Sequence, residues 1–125
     1  MNFGQAISAG FSNYVKFSGR AIRSEYWYWV LFTVLGSIAA GIIDAVLGMS
    51  IIDGLFGLAT ILPSIAVAVR RLHDLDRSGW WILIGLIPII GWIILIIWYC
   101  SRGTVGPNRF GPDPLSTDGW ARAAA

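Results

Sequence analysis

The stretch YWYWVLFTVLGSIAAGIIDAVL (residues 26–47), the link GMS (48–50) and the stretch IIDGLFGLATILPSIAVAV (51–69) decide the fold. As a helix rising ~1.5 Å per residue, the first stretch reaches roughly 30 Å, the thickness of a bilayer's hydrocarbon layer. It opens on Tyr26, Trp27, Tyr28 and Trp29. Aromatic rings with one polar handle settle at the headgroup level, so this cluster marks one membrane face. The link Gly48-Met49-Ser50 is short enough to force the second stretch back antiparallel to the first. Ser50 and Asp53 stand at capping-box spacing, which predicts them as the start of the second helix. Pro63 interrupts that helix, and a bilayer tolerates this where a neighbour pairs the freed carbonyl. A secretory signal peptide competes for the first stretch. The 25 residues ahead of the apolar core are long for one, and further apolar segments follow, so a retained span is the reading taken.

A third apolar segment runs from Trp80 to Cys100, with Trp80 and Trp81 at one end and Trp98 and Tyr99 at the other. Two aromatic margins about 20 residues apart suit one full crossing. Pro88 and Gly91 break its middle, so the alternative is a re-entrant hairpin that enters and leaves by the same face. The expected fold is therefore all-α: a polytopic membrane domain, 1–125, with spans over 26–47, 51–69 and 80–100. Residues 1–25 form its interfacial segment and 101–125 its turn-rich tail.

Composition agrees. The chain has 125 residues, 56% hydrophobic and 13% charged, with a mean hydropathy of +0.68; a soluble domain averages about 45–50% apolar and ~25% charged. Disorder is excluded and a water-soluble globule disfavoured. Cys100 is the single cysteine, which excludes an internal disulfide and a thiolate metal site. The basic residues all lie outside the apolar runs, a placement foreign to nucleic-acid binders, which gather charge on one exposed face. With three crossings, Lys16, Arg20, Arg23, Arg70, Arg71 and Arg77 fall on one side and Arg102, Arg109 and Arg122 on the other. This bias predicts a cytoplasmic amino terminus; a re-entrant third segment puts all of them inside. Ahead of the first span, Phe3, Ile7, Phe11 and Tyr14 recur at helical spacing, predicting a short amphipathic helix in the interface, with a loosely ordered tail as the alternative.

Two sets of polar residues are candidate sites. Thr33, Ser37, Gly41 and Asp44 share one face of the first helix, and Asp53, Gly57, Thr60 and Ser64 one face of the second. Facing each other, such stripes make a tight helix pair or, in the functional alternative, a polar path for a small solute or proton with Asp44 and Asp53 at its mouth. Asp44 is the odder residue, because a carboxylate near a helix C-terminus meets the wrong end of the dipole. The second set is the loop RRLHDLDRSGWW (70–81) together with Arg20, Arg23 and Glu25. Arg70, Arg71, His73, Asp74, Asp76 and Arg77 suit a salt-bridged network, or topology signals and anchors for anionic lipid headgroups. One histidine with two aspartates lacks the ligand set of a zinc centre, so no metal or other cofactor is expected. No nucleophile, base and orienting group come together, so an enzyme is not expected. The glycine- and proline-rich tail from Gly103 to Pro114 ends the third segment by turn chemistry.

Taken together, FSGRAIRSEYW (17–27), RRLHD (70–74) with SGWW (78–81), PIIG (88–91) and the tail 106–114 resemble the domain of unknown function 805 family, the YhaH-like small bacterial inner-membrane proteins. The resemblance covers nearly the whole chain. It implies a multi-pass protein of the bacterial inner membrane and transfers no catalytic residues. The expected function is structural or accessory, with interfacial arginines on anionic lipids. The alternative is an oligomeric transporter or channel subunit built on the polar stripes. Lipids, and a second copy or another membrane protein, are the expected partners.

Overall fold

The computed structural model describes residues 2–114; Arg122 and the end of the expected tail lie outside them. Four α-helices follow in order, α1 Phe3–Ser12, α2 Arg23–Leu47, α3 Ile52–Asp74 and α4 Ile90–Cys100, with a 3-10 segment Gly79–Leu86 between α3 and α4. Helices α2 and α3 are long and apolar enough to cross a membrane. They pack antiparallel, as expected of so short a link, which runs over four residues, 48–51. Their outer faces carry large apolar side chains, such as Ile38 (56% exposed) and Leu58 (70%), which suits lipid as the surrounding solvent.

The start of α3 differs from expectation. Its N-cap is Ile51, which makes no side-chain capping bond. The Asp44 carboxylate instead accepts from the N–H groups of Ile52 (2.9 Å) and Asp53 (3.1 Å). Asp53 accepts from the Ser37 hydroxyl at 2.7 Å. The link folds Asp44 beneath the next helix's N-terminus, where a carboxylate is favoured, and this resolves its awkward place on its own helix.

Pro63 lies within α3. Having no N–H, it leaves the carbonyl four residues earlier, that of Ala59, without its helical donor. The Tyr14 hydroxyl donates to that carbonyl. Helix α1 is thereby anchored at its far end to α3, while Phe3 and Phe11 set their ring edges on Tyr28 and Trp29 at 6.0 and 5.3 Å. Asn2 and Gln5 close a reciprocal capping box at its start.

Residues 80–100 do not form the single helix expected of a full crossing. The 3-10 segment descends and turns through Ile87, Pro88 and Ile89, and α4 returns beside it. Ile90 N–H donates to the Pro88 carbonyl at 2.7 Å around Ile89, whose φ is +66°. A branched residue rarely adopts such a backbone. Gly91 permits the close return, since a Cβ there would stand 1.8 Å from the Ile84 carbonyl oxygen. The rings of Trp81 and Trp98 consequently meet at 5.7 Å, whereas a straight helix would separate them by roughly 25 Å. The two aromatic margins thus belong to one end of the fold.

Candidate functional site

The charged motifs gather where α2 begins and α3 and α4 end. The expected loop at 70–74 is helical: α3 continues to Asp74 because partners on the preceding and following segments receive its charges. Asp74 is the centre. Its Oδ1 accepts from Arg20 (2.9 Å from Nη2, 3.0 Å from Nε) and its Oδ2 from Arg71 Nη1 at 2.6 Å. All three side chains are at most 2% exposed. Beside them Arg70 Nη1 pairs with Glu25 Oε2 at 2.5 Å, also buried.

Burying charge is costly unless further hydrogen bonds satisfy the groups left over. Backbone carbonyls supply most of them. Arg20 donates to Thr104 (2.6 Å) and Gly106 (2.8 Å); Arg71 donates to Ala21 (3.4 Å), Tyr99 (3.3 Å) and Ser101. The Thr104 N–H in turn donates to the Asp74 carbonyl at 2.7 Å. A Cβ at position 103 would stand 1.9 Å from Asp74 Oδ2, so Gly103 is what lets the tail approach. Asn108 Nδ2 donates to the His73 carbonyl at 2.9 Å, and Phe110 stacks on the His73 ring at 4.0 Å. The tail is thus a strap over the ion pairs. Two Arg70 donors, Nε and Nη2, are buried without a partner among the described residues, as is the Ser24 hydroxyl.

The remaining members of this set lie at the edge of the cluster. Arg23 donates to the Cys100 carbonyl at 3.2 Å, Arg77 lies 4.1 Å over the Trp98 ring, and Asp76 pairs with Arg109 at 3.3 Å in solvent. Of the polar stripes, the structure brings together only part. Ser37 meets Asp53, and Ser64 accepts from Trp29 Nε1 at 2.9 Å. Thr33 and Thr60 turn onto carbonyls of their own helices, those of Val30 and Phe56. A Cβ added at Gly41 or Gly57 would meet open space; the glycine at the close helix contact is Gly36, against the Phe56 ring. Sequence reasoning missed the strap residues Gly103, Thr104, Asn108 and Phe110. Their signal was present as turn chemistry, but turn residues do not announce which side chain they will cover.

Residues 14–112 match the family model described as "Protein of unknown function (DUF805)". The chain is 48% identical over 108 residues to Inner membrane protein YhaH of Escherichia coli, covering 82% of this chain and 89% of that one. It is 47% identical over 104 residues to Inner membrane protein YhaI of the same organism, covering 82% and 88%. Uncharacterized protein YiiR is more distant, 32% identical over 84 residues, covering 64% and 53%. No solved structure matches the chain.

Proposed function

The chain belongs to the DUF805 family, and on that premise we propose a multi-pass inner-membrane protein with two crossings, α2 and α3, and a re-entrant hairpin over 79–100. Its role is structural or accessory, exerted from the cytoplasmic face, and it is not an enzyme. One observation carries this reading: the carbonyls at the end of α4 are held by the first turns of α2 and the last turn of α3. Trp27 Nε1 donates to Tyr99 at 3.1 Å, Arg23 to Cys100, and Arg71 to Tyr99 and Ser101. The end of the hairpin therefore leaves by the face at which the amino-terminal segment lies. Lys16, Arg20, Arg23, Arg70, Arg71, Arg77, Arg102 and Arg109 then share one side, and the positive-inside rule makes that side cytoplasmic.

The basic residues divide by burial. Arg20, Arg70 and Arg71 serve the fold. Lys16 and Arg102 are exposed, and Arg23 and Arg77 half-buried, while the exposed Arg109 is already paired with the Asp76 carboxylate; the first four are the ones available to anionic headgroups, each contributing about 1 kcal/mol near the surface. Cys100, the exposed free thiol, tests the placement. A membrane-impermeant maleimide should label it in inside-out vesicles and not in intact spheroplasts, with unfolded protein as the control for reactivity. Labelling from outside intact cells would overturn the re-entrant topology.

A further inference from the structure

At the charged end of the fold a groove of about 470 Å³ opens between the last turns of α3, the start of the 3-10 segment and the chain leading to Arg20. Phe17, Val69, Trp80, Ile82 and Leu83 make its lining largely apolar, and the volume falls in the range of ligand sites. His73, itself 92% buried at 8% exposure, is the one titratable residue on the wall. Its Nδ1 stands 2.9 Å from the Gly19 carbonyl. A carbonyl only accepts, so Nδ1 carries the proton and Nε2 of the neutral ring is an acceptor. Nε2 makes no hydrogen bond among the described residues and is not one of the buried polar atoms sealed from solvent, so a donor in the groove can reach it; stacking on Phe110 within 2° of parallel fixes the ring. Ser78, the other polar lining side chain, already accepts from Trp80 N–H. Water can meet that acceptor in the open groove, so a ligand's charge-assisted donor gains what it adds over water.

We propose that this groove takes an acyl chain of a phosphatidylethanolamine, whose headgroup ammonium donates to Nε2 of His73. The groove's polarity runs in the order of such a lipid. Apolar walls lie beside one acceptor at the level where the apolar helices give way to the charged cluster, and Trp80, 78% exposed, stands at its rim. A donor is required and a negative charge is not, which separates this site from headgroup contacts of the exposed lysine and arginines. The proposal rests on the membrane placement above but not on those anionic contacts.

The test uses the full chain in nanodiscs of equal phosphatidylethanolamine and phosphatidylcholine, which share net charge and differ in the N–H donor. Lipid retained after mild detergent release is read by native mass spectrometry. The ethanolamine lipid should be retained over the choline lipid by about fivefold, the scale of one charge-assisted hydrogen bond partly screened. His73→Phe keeps the stacking surface and should bring the ratio to one. Leu83→Trp fills the groove from its half-exposed side, leaves His73 in place, and should lower retention of both lipids. Equal retention by the natural chain, or a preference that survives Leu83→Trp, overturns the proposal, including where His73→Phe fails to fold. A parallel disc with phosphatidylglycerol in place of the ethanolamine lipid, and Lys16→Gln with Arg102→Gln, reads the anionic contacts separately. Loss of that preference alone leaves the groove standing, while ethanolamine and choline lipids retained equally beside a glycerol preference overturns it.

Discussion

The Tyr14 hydroxyl donates to the carbonyl of Ala59, the one backbone acceptor that Pro63 leaves without its helical donor. Proline in a membrane helix is tolerable when such a carbonyl is paired from outside the helix. The pairing also fixes where α1 lies.

This makes Tyr14 and Pro63 energetically coupled. Tyr14→Phe should destabilise the folded protein by about 1–3 kcal/mol, the cost of an unsatisfied acceptor. In a Pro63→Ala background, where the helix supplies its own donor, the same change should be nearly neutral. A double-mutant cycle by denaturant unfolding in mixed micelles measures the difference; additive effects would refute the coupling.

Asp44 rather than Ser50 caps α3. Asp44→Ala should lower the unfolding midpoint and expose the helix start to faster amide exchange at Ile52 and Asp53, because both N–H groups lose their acceptor. Ser50→Ala should change neither reading.

Asp74 and Asp76 are two residues apart in sequence and far apart in consequence. Asp74→Asn leaves Arg20 and Arg71 buried without their shared carboxylate, a loss of about 3–5 kcal/mol, enough to abolish recovery of folded protein. Asp76→Asn breaks an ion pair whose side chains are 61% and 47% exposed, and should cost about 0–1 kcal/mol. Yield of monodisperse protein and denaturant midpoints report both.

The hairpin predicts proximity. With Cys100→Ser as background, Trp81→Cys and Trp98→Cys should be joined by a short bis-maleimide within one chain. Adding Gly91→Val, whose side chain collides with the Ile84 carbonyl, should suppress the cross-link. A continuous helix over 80–100 would give no cross-link in either protein.

The sequence by itself determined the helical class, the antiparallel pair α2–α3 and the segregation of charge from apolar runs. Each of these is written in local quantities: segment length, hydropathy, the length of a link. It also showed Pro63 and Asp44 as residues requiring a partner. Only the tertiary structure decided who the partners are. The donor to Ala59 comes from 45 residues away, and the carbonyls that solvate Arg20 and Arg71 come from as far as 91. Apolar length alone is equally compatible with a 21-residue helix and with two shorter pieces folded together. The choice between them lay in close packing at Gly91 and in backbone carbonyls offered to Arg71, Arg23 and Trp27. Such contacts satisfy buried polar groups, and a polar group's need is visible in a sequence while the chain segment that meets it is not.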